Sequence, residues 1–225
     1  MRDQRPRIIG AVWLLYFVTG SVAGYLAQGG IVPGNTAGAL TNILAHPTQY
    51  RAGVAVGLFA NALYVVLTAL LYDLFAPVNR GLSLTAAFLS LVGCIVQIVA
   101  TTLQLAPISL LRDSALAGVF TADGLRAAAV MCLKLYALSF QISVVMFAMF
   151  EVVLGYLIYK SSFIPRVFGI LFLVAGLVWM TYLWPPLFNT FRYVALPFAG
   201  LTELAFAMWL VLRGADGVAR QPAGT

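Results

Sequence analysis

Charge is scarce in this chain. Only 9% of its 225 residues are Asp, Glu, Lys or Arg, against 62% that are hydrophobic, whereas soluble domains carry roughly 25% charged residues. A chain of this size folded in water has nowhere to hide so much apolar surface, so lipid must solvate part of it. Histidine and cysteine are nearly missing as well: one His46, and two cysteines, Cys94 and Cys132. Their spacing fits no metal site, and a disulfide between two residues in or beside apolar runs is not expected. No metal and no cofactor are therefore expected. A glycine-rich phosphate loop, a serine triad and a dinucleotide fingerprint are all lacking, which argues against nucleotide-driven chemistry by this chain alone. A basic patch is lacking too, despite the formal charge of +6. The basic residues stand singly at the edges of apolar runs, as topology-setting charges do. The expected partner is the lipid bilayer, not nucleic acid.

What the chain has in abundance is long apolar runs. A hydrocarbon core about 30 Å thick takes about 20 helical residues to cross. Six runs qualify, at approximately 8–27, 52–75, 83–105, 135–159, 166–184 and 193–213. Lipid offers the backbone no hydrogen-bond partner, so each must be a helix. The fold class expected is an all-α polytopic bundle of six spans, forming one integral membrane domain over residues 1–225. The first run exceeds a signal-peptide core in length and reads as a span.

Lys and Arg set the orientation. With the N-terminus inside, Arg2, Arg5, Arg7, Arg80, Lys160, Arg166, Arg213 and Arg220 are cytoplasmic, against Arg51, Arg112, Arg126, Lys134 and Arg192 outside, a bias of eight to five. Both termini are expected in the cytoplasm of a cell membrane. The inner connections, Ala76–Gly81 and Ser161–Pro165, are tight turns. The outer ones are longer. Residues 28–51 hold Gly29-Gly30, Pro33-Gly34-Asn35 and an amphipathic stretch at 36–46, and residues 107–134 hold two more short amphipathic pieces at 108–111 and 127–133. Arg7-Ile8-Ile9-Gly10 is echoed by Arg166-Val167-Phe168-Gly169: an interfacial Arg with a small residue one turn on, which anchors a helix and lets a neighbour approach. Gly20 and Gly24 form a small-xxx-small pair that also predicts close helix packing.

Several of these strings resemble a bacterial family of multi-pass proteins catalogued as domain of unknown function 4386. They are Arg7–Gly10, Asn42-Ile43-Leu44-Ala45-His46 with Arg51, Pro77-Val78-Asn79-Arg80-Gly81-Leu82, Leu154–Ser161 with Phe163-Ile164-Pro165-Arg166, and Glu203 in the last span. The resemblance covers nearly the whole chain. It implies a membrane fold and supplies no activity. A histidine early in span four, associated with the family, is replaced here by Tyr136.

Polar side chains at membrane depth face a bundle interior or a wet cavity. In span three, Ser90, Cys94, Gln97, Thr101 and Gln104 recur at helical spacing and share one face. Asn61, Tyr64 and Thr68 in span two, and Gln141, Glu151 and Gly155 in span four, form similar stripes. Asn61, Gln97, Thr101, Gln104 and Gln141 are candidate substrate-binding residues, with packing between helices as the competing reading. Glu151 lies about 12 Å and Glu203 about 15 Å from the inner ends of their spans, at 1.5 Å per residue. These two acids share a depth and are the candidate catalytic pair, since a protonated carboxylic acid there suits general-acid or proton-relay chemistry. On the outer side, His46, Arg51 and Arg192 are candidates for a polar or anionic head group. Trp184 and Tyr193 read as interfacial aromatics. Asp73 is positioned to pair with Arg80. Three functions remain open: a pocket that binds or converts a hydrophobic small molecule or lipid, a proton-coupled carrier lacking the usual broken repeats, and a non-catalytic accessory subunit.

Overall fold

The computed structural model describes residues 5–28 and 36–213. The turn residues Gly29, Gly30, Pro33, Gly34 and Asn35, together with Arg2 and Arg220, lie outside the described residues. Every described element is a helix. The order is α1 (Arg5–Gln28), α2 (Thr36–Ala45), α3 (Pro47–Phe75), α4 (Arg80–Arg112), α5 (Ser114–Ala117), α6 (Ala122–Lys160), α7 (Arg166–Met180) and α8 (Pro185–Arg213), with a 3₁₀ turn over Thr181–Leu183. Six of these are long and apolar enough to cross a membrane: α1, α3, α4, α6, α8, and α7 together with its 3₁₀ extension. The protein is a multi-pass membrane protein.

Three helices run well past the spans expected of them: α4, α6, and α8, which begins at Pro185 rather than near 193. The pieces anticipated at 108–111 and 127–133 are not separate helices but continuations of α4 and α6. Pro107 is carried inside α4, where it removes one backbone hydrogen bond without ending the helix. The start of α6, Ala-rich and set by Thr121, whose hydroxyl accepts the Gly124 N–H at 3.1 Å, has nothing to break it before Lys160. At 39 residues, α6 is about 58 Å long and exceeds the roughly 30 Å hydrocarbon layer. The short stretch at 36–46 does form its own helix, α2. Pro77 marks the end of α3, and Asn79 caps α4 by accepting the Leu82 N–H at 2.9 Å. Asp73 and Arg80 are both exposed and form no ion pair among the described residues.

The faces of α4 show what kind of solvent surrounds the protein. Ser90, Cys94 and Gln104 are buried, while Phe88 (59% exposed), Ile95 (59%) and Val99 (62%) point outward. Apolar side chains exposed in rows, with hydroxyl, thiol and amide groups inside, need lipid as solvent.

The described residues gather into two compact units. The first draws on Met1–Phe17, Leu63–Cys94 and Ile142–Thr225. Its core is aromatic, with Trp13, Phe75, Phe150, Phe172 and Phe206 all fully buried. Helices meet there at glycines: a Cβ on Gly155 would lie 2.7 Å from the Leu173 nitrogen, and one on Gly169 would lie 2.6 Å from the Tyr159 nitrogen. The Thr68 hydroxyl donates to the Tyr64 carbonyl at 2.9 Å and lies 2.6 Å from the Ser90 hydroxyl. A hydroxyl has one proton to give, so Ser90 is the donor to Thr68. Replacing Ser90 by Ala is expected to lower the stability of the detergent-solubilised protein by about 0.6–1.7 kcal/mol, the range for hydrogen bonds between membrane helices. Thr68→Val should add less than its single effect in that background, as measured by reversible unfolding.

The second unit comprises Val18–Ala62 and Ile95–Gln141. Its small core holds Ile43, Tyr50, Val54 and Ile108. Tyr50 donates to the Gln104 carbonyl at 2.8 Å, and a Cβ on Gly53 would meet the Ala27 nitrogen at 2.5 Å. Gly20 and Gly24 differ from what their spacing suggests: nothing lies within 4 Å of a Cβ at either. Cys94 and Cys132 are free thiols.

Candidate functional site

The candidate site belongs to the first unit and begins with a glycine. A Cβ on Gly10 of α1 would lie 2.6 Å from the Ala207 carbonyl oxygen and 2.9 Å from the Val211 nitrogen, both in α8. Only glycine lets the two backbones come that close. One turn further on, Trp13 is fully buried, with its ring edge-on to Phe206 at 5.5 Å and tilted against Phe172 at 5.9 Å. Its indole N–H donates to Oε2 of Glu203 at 3.3 Å, a long bond by ordinary N–H···O standards.

Glu151 arrives from α6. It is 3% exposed, while Glu203 is half-buried. The two carboxyl groups come within hydrogen-bonding reach of each other. Two carboxyls join in this way only when at least one of them carries a proton. Oε2 of Glu151 is buried and, apart from the Glu203 carboxyl, has no hydrogen-bond partner among the described residues. Such an atom is costly to leave unsatisfied.

Two tyrosines complete the surroundings. Tyr16 of α1 and Tyr64 of α3 meet edge to face with centroids 4.7 Å apart, and Tyr64 packs against Phe147 at 5.0 Å. Both lie within electrostatic range of Glu151, Glu203 and Cys94. The groups acting on the two acids are each other and Trp13, and none is a lysine, arginine or histidine. No group of three or more His, Cys, Asp or Glu is arranged for a metal among the described residues.

The structure thus unites Glu151 with Glu203. The other candidate binding and outer-face residues fall in the second unit, apart from Arg192. Gln104 is buried and its backbone holds Tyr50. Gln97, Thr101 and Gln141 are half-buried, and Thr101 bonds to the Ile98 carbonyl of its own helix. Asn61 donates to the Gly57 carbonyl at 3.4 Å. His46 is exposed and lines a cavity of about 410 Å³ with Tyr25, Asn42, Gln49 and Tyr50. Arg51 is exposed and not among the residues lining it. Arg192 belongs to the first unit, where its guanidinium lies over the Tyr193 ring at 4.8 Å and donates to the Tyr193 hydroxyl at 2.8 Å.

Trp13 and Tyr16 are the functional candidates that sequence reasoning missed. A usable signal was present: both follow Gly10 at steps of three residues, so a helix pressed against a neighbour at Gly10 presents them on nearly the same face.

The chain belongs to the family described as "Domain of unknown function (DUF4386)", whose model matches residues 8–214. No curated protein and no solved structure matches it.

Proposed function

We propose that this member of the DUF4386 family binds a hydrophobic small molecule or lipid within its helical bundle, with the polar end of the ligand at the Glu151–Glu203 pair. The observation that carries this reading is the buried Oε2 of Glu151, to which no group other than the Glu203 carboxyl is offered among the described residues. A bundle interior that exists only to pack helices would satisfy all its polar atoms, and this atom therefore counts against the accessory-subunit reading. Trp13, Tyr16, Tyr64 and Phe147 surround the acids with aromatic side chains that offer few polar contacts. The protein resides in the bacterial inner or plasma membrane with both ends cytoplasmic, a placement supported by the distribution of its Lys and Arg residues.

A proton-coupled carrier is the second reading, favoured by the hydrogen bond between the two acids, which needs a proton on at least one of them. It predicts proton-dependent flux across vesicles that disappears in Glu203→Gln.

Native mass spectrometry of the purified protein, followed by lipid extraction, tests the pocket. The expected result is a retained molecule on the wild-type chain and its loss from Glu151→Gln. Wild-type protein carrying no mass beyond polypeptide and detergent would end this reading.

A further inference from the structure

A second site belongs to the other unit and makes no use of the acid pair. It is the cavity of about 410 Å³ lined by the end of α1 and the junction of α2 with α3, a volume within the roughly 300–1,000 Å³ of small-molecule sites. Part of its lining is a single helical face. The His46 N–H donates to the Asn42 carbonyl and the Tyr50 N–H to the His46 carbonyl, each at 3.0 Å, so the helical path continues from α2 into α3 across Pro47. Asn42, His46, Gln49 and Tyr50 follow at steps of four, three and one, which places them on one side of that path. The end of α1 supplies Tyr25, Leu26 and Ala27. Backbone contact fixes the two parts against each other, since a Cβ on Gly53 of α3 would lie 2.5 Å from the Ala27 nitrogen.

The cavity lies at a membrane surface. Tyr25 stands three residues before the end of α1, about 4.5 Å along the helix, and His46 precedes the first residue of α3. Polar head groups occupy that depth. The chemistry of the lining is uncharged: no Asp, Glu, Lys or Arg is among the lining residues, and Arg51, expected to complete an anionic site, is absent from them. An ion brought here would find no counter-charge. The carboxamides of Asn42 and Gln49, the Tyr25 phenol and a neutral His46 imidazole each both donate and accept hydrogen bonds. The Tyr25, His46 and Gln49 side chains are exposed and form no hydrogen bond among the described residues. A phosphodiester offers them acceptors alone and an ammonium group donors alone, so either leaves part of the lining unmatched. A hydroxyl offers both. A sugar ring carries hydroxyls around its rim and C–H groups on its faces, which suit the ring of Tyr25, 75% exposed.

From an uncharged cavity at the membrane surface that holds Tyr25, Asn42, His46 and Gln49 together, we infer that it binds a neutral, hydroxyl-rich sugar ring, carried on a lipid or free. The inference stands apart from the pocket reading, which concerns Glu151 and Glu203 and is tested by Glu151→Gln.

The test uses purified protein in a polyoxyethylene detergent, which carries no sugar. It is incubated with monoglucosyl diacylglycerol, diacylglycerol and phosphatidylmethanol of identical acyl chains, and native mass spectrometry reads which lipid is retained. Wild-type protein should retain the glucosyl lipid over either of the others by about tenfold or more, as two or more matched hydrogen bonds give. The double variant His46→Leu, Gln49→Leu should lose that preference. His46→Gln keeps a donor and an acceptor and should keep most of it, which separates lost hydrogen bonds from a misfolded chain; circular dichroism checks the double variant. Displacement of the glucosyl lipid by excess methyl β-D-glucoside supports a site for the sugar from either source, and retention against that excess supports the lipid-borne form. Equal retention of phosphatidylmethanol or diacylglycerol, no retention of the glucosyl lipid by wild-type protein, or an undiminished preference in the double variant overturns the assignment.

Discussion

Gly155→Leu should destabilise the detergent-solubilised protein by about 3 kcal/mol or more, at the upper end of overpacking costs, and sharply reduce the folded yield. The reason is reciprocal contact between two backbones. A Cβ on Gly155 would lie 2.7 Å from the Leu173 nitrogen and 2.8 Å from the Gly169 carbonyl, one on Gly169 would lie 2.7 Å from the Gly155 carbonyl, and one on Gly176 would lie 2.7 Å from the Ala148 carbonyl. Atoms of a helix backbone cannot swing aside as a side-chain tip can, so the helices must separate. α7 is only 15 residues long, about 22 Å at 1.5 Å per residue, and both Gly169 and Gly176 meet the α6 backbone along that length. Gly20→Leu and Gly24→Leu provide the contrast, because nothing lies within 4 Å of a Cβ at either position. Their thermal midpoints should stay within measurement error of wild type. Equal losses at Gly155 and Gly24 would refute the claim that backbone contact, rather than glycine spacing, marks the helix seams.

That contrast also shows where sequence reading reaches its limit. The six spans were legible because a bilayer sets a length of about 20 apolar residues that a soluble helix has no need to meet. The ends of α4 and α6 were not, because outside the hydrocarbon layer nothing forces a helix to stop: residues 122–134 continue α6 on helix propensity together with the burial of Leu125 and Ala129. Small residues at four-residue spacing identify a face that permits close approach, yet the rotation of each helix decides whether a neighbour arrives. Gly20 and Gly24 had the spacing without the neighbour, while Gly10 and Gly169, marked only by a following position after an interfacial Arg, had the neighbour. Depth behaves like length. The shared depth of Glu151 and Glu203 follows from counting residues, whereas their meeting depends on rotations set partly by Gly10 against Ala207 and by Gly155 against Gly169. Trp13 stayed hidden for a further reason: an indole in an apolar run reads as bulk, and its single N–H donor becomes visible only beside Glu203.

Removing both acids should restore stability that removing either one loses. Glu203→Met leaves the Trp13 N–H without its acceptor and leaves Glu151, 3% exposed, without the carboxyl it is hydrogen-bonded to. Glu151→Met strands Glu203 in the same way. Each single variant should lose about 1–3 kcal/mol, the cost of an unsatisfied buried polar group. The double variant replaces two polar partners with apolar side chains of similar length in an aromatic core, a change that in comparable buried pairs is neutral or stabilising. A double-mutant cycle on the detergent-solubilised protein should therefore give an interaction energy of about 2 kcal/mol or more, well outside additivity. The two acids would then be a liability for the fold that an apolar pair relieves, and retention of a co-purifying ligand should disappear from the same double variant that gains stability. Additive losses, with the double variant the least stable of the three, would mean that Glu151 and Glu203 hold the bundle together independently, and would remove the physical basis for reading them as one site.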